Sequence, residues 1–559
     1  MTRKRHDTAT LWVLGGKIVA PSSKRKAVSV LLPFHPRHPC ENELGSCAID
    51  AQNAGAKAQF RKGTPIPCLP NARATVSDMH TVRNFVGGEW QAPTPSNWYD
   101  LTNPATGESL GRVPMSGTTE VSEAVRAARE AFPKWRETPV VQRARYLFKF
   151  KALLEEHFDE IARIVTQENG KTVDEARGSL RRGIENVEHA CGMPSLMMGD
   201  SLEDIATGID CEYFRQPMGV FAAITPFNFP AMVPLWFYPY AIASGNTFVL
   251  KPSEQVPLSQ VRIVELLQQT GLPQGVMNVV HGGKDAVDAL LRHPDVVGIS
   301  FVGSSPVARY IYKTAAEHGK RVQALGGAKN HMIVMPDADM DRAVGIVSES
   351  VFGCAGQRCL AGSVIVATGK SYEPFRDKLI ASAKGLRLGN GLDAGVSMGP
   401  VVSHKHREKV LSYIESGISD GAKLALDGRG AKVPQYPKGA FLGATVFDQV
   451  DPTMKIGREE IFGPVATVSH AATLDEAIKR VQGSEFANAV SIFTTSGRAA
   501  REFRYRVGVS MIGVNIGVAA PMAFFPFGGT KGSFFGDLKA HGKDSVEFYT
   551  DKKVVISRW

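Results

Sequence analysis

Gly219-Val-Phe-Ala-Ala-Ile-Thr-Pro-Phe-Asn-Phe-Pro230, Thr247-Phe-Val-Leu-Lys-Pro-Ser-Glu254, Val276-Met-Asn-Val-Val-His281 and Val297-Gly-Ile-Ser-Phe-Val-Gly-Ser-Ser-Pro306 decide the fold. Each opens on a short, nearly continuous apolar run, the pattern of a strand covered on both faces. Helical stretches such as Ser259 to Thr270 lie between them. Strand and helix alternating in this way predict an α/β protein with a parallel, doubly wound sheet, whose ligands bind at the carboxyl ends of the strands.

Outward from that core, a second α/β stretch runs from His331 to about Asn515, and Ser545 to Ser557 reads as an extended strand. Toward the N-terminus, Arg83 to Trp90 reads as a short strand and turn, and Asn103 to Gly107 as a turn. Val121, Val125, Ala128, Phe132 and Trp135 recur at helical spacing, and so do Leu147, Leu154, Phe158 and Ile161 in a helix expected over Arg143 to Gln167. The longest apolar run, Ala231 to Leu250, is broken by Pro234, Pro239, Gly245 and Asn246, so no transmembrane span is expected.

The 559 residues carry 65 Lys and Arg against 55 Asp and Glu, a net charge of +10. Residues 1–78 hold twelve of those cations and only five of the carboxylates, so most of the excess belongs to this segment and nucleic acid is disfavoured as a partner. The segment shows no sustained periodicity, and its apolar stretch Leu11 to Ala20 is interrupted by Gly15, Gly16 and Lys17, which argues against a signal peptide. It is expected to be disordered or untranslated, initiation then falling at Met79, with a mitochondrial transit peptide as the alternative. The seven cysteines form no C-x-x-C pair or zinc-ligand spacing, so they read as reduced thiols; His189 and Cys191 lack further ligands, and no metal is expected.

Five segments carry chemistry. Lys251-Pro-Ser-Glu254 puts a cation and a carboxylate at a strand's carboxyl end, although no G-x-G-x-x-G follows any strand. Gly303-Ser-Ser-Pro306 opens a helix and offers backbone N–H groups to a phosphate. In Gly353-Cys-Ala-Gly-Gln-Arg-Cys359 a thiol follows Arg358, a cation that favours the thiolate, while Thr225-Pro-Phe-Asn-Phe-Pro230 holds an amide between prolines, as an oxyanion donor requires. The fifth is Glu459-Glu-Ile-Phe-Gly-Pro464.

Together these segments resemble the aldehyde dehydrogenase superfamily over residues 80–559. Arg182-Gly-Ile-Glu-Asn-Val-Glu188, Gln323-Ala-Leu-Gly-Gly-Ala-Lys-Asn-His331 and Lys531-Gly-Ser-Phe-Phe-Gly-Asp537 look like its CoA-acylating, methylmalonate-semialdehyde branch. The resemblance implies two doubly wound parallel-sheet domains plus a small β oligomerisation element: an NAD-binding domain from 79–198 and 218–325, a catalytic domain at 326–530, and the oligomerisation element from 199–217 and 531–559. It makes Cys359 the nucleophile and Asn228 the oxyanion donor. It assigns Thr225, Phe227, Lys251, Ser253, Glu254, Gly303, Ser304, Glu460 and Phe462 to the cofactor, with Glu254 favouring NAD over NADP. Ala308 replaces a glycine usual in the pyrophosphate turn, a change expected to be tolerated.

The larger departure lies where hydrolytic members read Glu-Leu-Gly-Gly-Lys. Here the segment begins at Ala324, so the water-activating glutamate is gone and the acyl-enzyme is expected to await CoA as co-substrate. The implied reaction turns methylmalonate or malonate semialdehyde into propionyl-CoA or acetyl-CoA. Arg182 and Arg358 are the candidate anchors for the substrate carboxylate, a structural ion pair being the other reading of each. A hydrolytic aldehyde dehydrogenase releasing free acid is the alternative. The resemblance further implies a homodimer or homotetramer in the cytoplasm, or in the mitochondrial matrix of a eukaryote, serving valine, inositol or β-alanine breakdown.

Overall fold

The computed structural model describes residues 81–91 and 97–559. The expectations for residues 1–78 lie outside the described residues. The first sheet is built on five parallel strands in the order Met277–Val279, Thr247–Lys251, Val220–Ile224, Val296–Val302 and Arg321–Leu325. The chain starts at Val220–Ile224, winds outward to Met277–Val279, then returns to wind the other way from Val296–Val302. That reversal is the topological switch point, and the loops after its two strands carry Thr225 and Gly303. Antiparallel strands close both edges: Asn84–Val86 with Glu89–Gln91 on one side, Phe534–Gly536 on the other.

The second sheet starts at His331–Val334. It runs through Val364–Thr368, Val465–Ala471 and Thr445–Asp448 on one side and through Ala489–Phe493 and Met511–Val514 on the other, all parallel, with Lys423–Leu426 antiparallel at one edge. The two expected doubly wound sheets are therefore present. A third sheet of three antiparallel strands joins Ser201–Ala206, Ile209–Pro217 and Thr550–Arg558, with Leu202, Ile205, Val554 and Ile556 exposed.

Two local expectations are corrected. Residues 143–167 form two helices, Val140–Glu156 and Phe158–Asn169, because His157 leaves helical geometry at φ −99° and ψ 18°. Leu147, Leu154 and Ile161 still share one buried face, which is why the period ran through the break. The strand expected from Ser545 begins only at Thr550; before it, Gly542–Tyr549 is a helix. Ser545, Phe548 and Tyr549 fall on one face of that helix and are buried, with Phe548 and Tyr549 packed on Phe221 at 5.6 and 4.9 Å. Of residues 531–559, only Thr550–Arg558 thus enters the small sheet, since Phe534–Gly536 pairs with the first.

Candidate active site

Helix Met340–Phe352 ends at Gly353, and the chain turns through left-handed Cys354, Ala355 and Gly356 (φ 50°, 51° and 72°) before reaching Cys359. A Cβ on Gly356 would lie 2.0 Å from the Gly463 carbonyl oxygen. Only glycine lets this turn press against Gly463-Pro464, which brings two of the chemical segments together. The Cys359 carbonyl then accepts from the side-chain amides of Asn330 (2.9 Å) and Asn488 (3.0 Å). Asn228 is buried; its amide donates to the Gln357 carbonyl at 3.0 Å, and its own carbonyl accepts from Lys171 Nζ at 2.6 Å. The Asn228 amide is thus tied to the backbone two residues before the Cys359 thiol.

Cys359 opens on a cavity of about 470 Å³ whose wall includes Arg182, Arg358, Phe229, Trp236 and His541. Glu175, Ser179, Arg182 and Asn186 line it from one face of helix Val173–Cys191, at the three- and four-residue spacings that put side chains above one another. Arg182 donates to the Ala520 and Pro521 carbonyls and lies 3.5 Å from the Glu185 carboxylate. Arg358 ion-pairs with Glu175 at 3.4 Å and donates to Cys354 Sγ at 3.3 Å. Both candidate anchors reach the cavity, and each also makes the ion pair that was its other reading, Arg182 with Glu185 and Arg358 with Glu175. Burial and the neighbouring Glu460 carboxylate push the Cys359 thiol up to about 12, against the pull of the Cys359 and Leu360 N–H groups and of Arg358. The help expected from Arg358 is present but outweighed.

The second crevice follows the switch point. The Thr225 N–H donates to the Lys251 carbonyl at 3.1 Å, and Lys251 Nζ meets the Glu254 carboxylate at 3.2 Å beside buried Ser253. The Gly303 N–H donates to the Leu325 carbonyl at 3.0 Å; Ser304 then caps helix Ser305–Glu317 without a capping bond from its side chain, so the helix's first N–H groups face outward. Ala308, on that helix, is fully buried in the core with Ile299 and Ile311. Glu460 accepts from the Ala328 N–H at 3.1 Å and would lie 2.4 Å from a Cβ on Gly327, so the double glycine makes its seat. Burial pushes Glu460 up to about 7. Phe227 stands edge-on to Phe462 at 5.8 Å and to His406 at 5.6 Å. A cation-carboxylate pair, an open helix N-terminus and a buried carboxylate along one crevice fit the ribose, phosphates and second ribose of a dinucleotide.

In Arg321–Leu325, Ala324 is buried with Ile299, Ala308 and Ile311, and Leu325, on the opposite face, joins the other core of this sheet. Neither residue carries a base. Asn330, Asn488, Gln357, Lys171, Glu175 and His541 were not singled out from the sequence. Asn330 stands inside a quoted segment, but nothing local marks the amide of Asn488, which meets Cys359 from 129 residues away.

Among the described residues no group of three or more His, Cys, Asp or Glu could hold a metal, and no helix is long and apolar enough to cross a membrane. The aldehyde dehydrogenase family model matches residues 90–555. The chain is 54% identical over 481 residues to malonate-semialdehyde dehydrogenase 2 of Geobacillus kaustophilus, covering 86% of this chain and 99% of that one. Its fold matches the crystal structure of methylmalonate-semialdehyde dehydrogenase from Oceanimonas doudoroffii with a TM-score of 0.85 at 49% identity, over 86% of this chain and 99% of that one. A Sinorhizobium meliloti protein solved in complex with NAD matches at 45% identity and a TM-score of 0.85, over 86% and 99% of the two chains.

Proposed function

The chain belongs to the aldehyde dehydrogenase family, and on that premise we infer that it is an NAD-dependent, CoA-acylating dehydrogenase of malonate and methylmalonate semialdehydes. The observation that carries this reading is a thiol on a cavity walled by two guanidinium groups, with Ala324 in the segment where hydrolytic enzymes carry a glutamate.

The Cys359 thiolate attacks the aldehyde carbon while Arg182 and Arg358 hold the substrate carboxylate. Negative charge develops on the former carbonyl oxygen, where the Asn228 amide and the Cys359 N–H receive it. A dinucleotide bound in the crevice supplies the hydride acceptor. Lys251 and Glu254 hold its adenosine ribose, the carboxylate accepting from the 2′ and 3′ hydroxyls and repelling a 2′-phosphate. Ser253 and Thr225 border that end, Gly303 and Ser304 take the pyrophosphate, and Glu460, Phe462 and Phe227 position the nicotinamide half. The Cys359 thioester resists water because Ala324, standing where the glutamate is missing, cannot activate it. The CoA thiol then attacks the acyl carbon, a new thioester bond forms and the Cys359 thiolate leaves. A carboxylate β to the thioester carbonyl is lost as CO2 through an enolate.

The small three-stranded sheet, with its exposed Leu202, Ile205, Val554 and Ile556, supports a homodimer or homotetramer. The domain limits given from the sequence, with the C-terminal part of the small sheet narrowed to Thr550–Arg558, the cytoplasmic or matrix location and a role in valine or inositol breakdown belong to the same reading. The test is NADH formation by the purified chain with malonate semialdehyde, NAD and CoA, beside Cys359→Ala. The wild type is expected to turn over and Cys359→Ala to form no NADH. Equal NADH from both proteins, or none from the wild type, contradicts the reading.

A further inference from the structure

His541 is 3% exposed, and neither of its ring nitrogens has a hydrogen-bond partner among the described residues. Its ring stands on the wall of the Cys359 cavity, edge-on to Trp236 at 4.7 Å and 5.4 Å from Phe527. The backbone beneath it is strained: φ 70° and ψ 172° lie in a region that glycine occupies freely and other residues rarely enter. Hydrogen bonds between Phe527 and Ala540 (2.6 and 3.1 Å) and from the Gly542 N–H to the Ala523 carbonyl (2.9 Å) hold the loop there. An aromatic needed only to fill space would leave no buried nitrogen unsatisfied, so a strained, pinned and unpartnered imidazole on a cavity wall points to a ligand.

We propose that His541 is a second receptor for the substrate carboxylate, its neutral imidazole donating a hydrogen bond to the group that Arg182 binds. This rests on the semialdehyde reading above. Arg182 is close enough for its charge to act on the ring; together with burial and His189 it holds the imidazole down to about 3, so at neutral pH the ring carries one N–H donor and one acceptor. The Nη1 group of Arg182 makes no hydrogen bond among the described residues, its contacts running through Nη2 and Nε. Arg182 and His541 both line the cavity, so a carboxylate docked on Arg182 from within it meets a wall that His541 shares.

The test compares malonate semialdehyde with propanal, in which a methyl group replaces the carboxylate, using the full chain and its His541→Phe, His541→Leu and His541→Asn variants. His541→Phe should lower kcat/KM for malonate semialdehyde by roughly 10- to 100-fold through KM, and for propanal by less than about 3-fold. His541→Asn, which keeps a donor, should recover most of the loss. If His541→Phe does not fold, His541→Leu carries the same comparison. Equal losses on both substrates, or no loss on either, overturn the assignment of His541 while the dehydrogenase reading stands. A wild type inactive on malonate semialdehyde overturns both.

Discussion

Placing a glutamate at position 324 should turn the acylating enzyme into a hydrolytic one, and placing it at 325, on the other face of the strand, should not. Ala324 is fully buried beside Ile299 and Ile311, and Leu325 is 3% exposed. Ala324→Glu desolvates one carboxyl and adds overpacking, a cost of about 3–5 kcal/mol against the roughly 5–15 kcal/mol of a folded domain. Two buried carboxylates of this chain, Glu460 and Glu168, are pushed up to about 7 by burial, and a third at position 324 should titrate in the same range, suited to a general base at neutral pH. A base so placed is worth roughly 10²- to 10⁴-fold in the attack of water on the thioester. The assay is steady NADH formation without CoA, with mass identification of the product. Ala324→Glu should sustain turnover and release free acid. Leu325→Glu loses apolar burial, desolvates a carboxyl on the other face and should give no hydrolysis. A folded Ala324→Glu enzyme that still stalls without CoA, or hydrolysis by Leu325→Glu, would refute the reading of the missing glutamate.

Three further outcomes follow from the site. Because the Cys359 thiol is pushed up to about 12, its reactive thiolate grows with pH, so alkylation of the apoenzyme should accelerate from pH 7 to 10; Glu460→Gln, by removing a like charge, should speed alkylation at pH 8 by roughly 3- to 10-fold, and a flat profile would contradict this. Asn228→Ala should lower kcat by about 10²- to 10³-fold with little change in apoenzyme alkylation, measured by single-turnover NADH bursts; a loss below about 5-fold would remove it from the oxyanion site. Glu254→Ala should raise kcat/KM with NADP relative to NAD by roughly 10-fold or more, and an unchanged ratio would deny the carboxylate its discriminating role.

The sequence revealed most where one stretch of chain sees one environment. Thr247–Lys251 is buried on both faces, and its apolar run reads as a strand with its limits unaltered in the structure. Misreadings arose where two environments meet. Gly542–Tyr549 carries the β-favouring Val546, Phe548 and Tyr549, but tertiary burial against Phe221 holds it helical. The helix break at His157 left the apolar period intact and so left no trace. The clamp on the Cys359 carbonyl by Asn488, and the orphaned nitrogens of His541, come from contacts between distant segments, which no local pattern encodes.

The acyl-enzyme itself gives the most direct test of the central claim. The protein is mixed with NAD and malonate semialdehyde without CoA, and the Cys359 peptide is then followed by mass spectrometry before and after CoA is added. The account predicts one acyl group on Cys359 that persists in water and leaves as acetyl-CoA when CoA arrives. A Cys359 that never acylates, or an adduct that water removes as fast as CoA does, would contradict it.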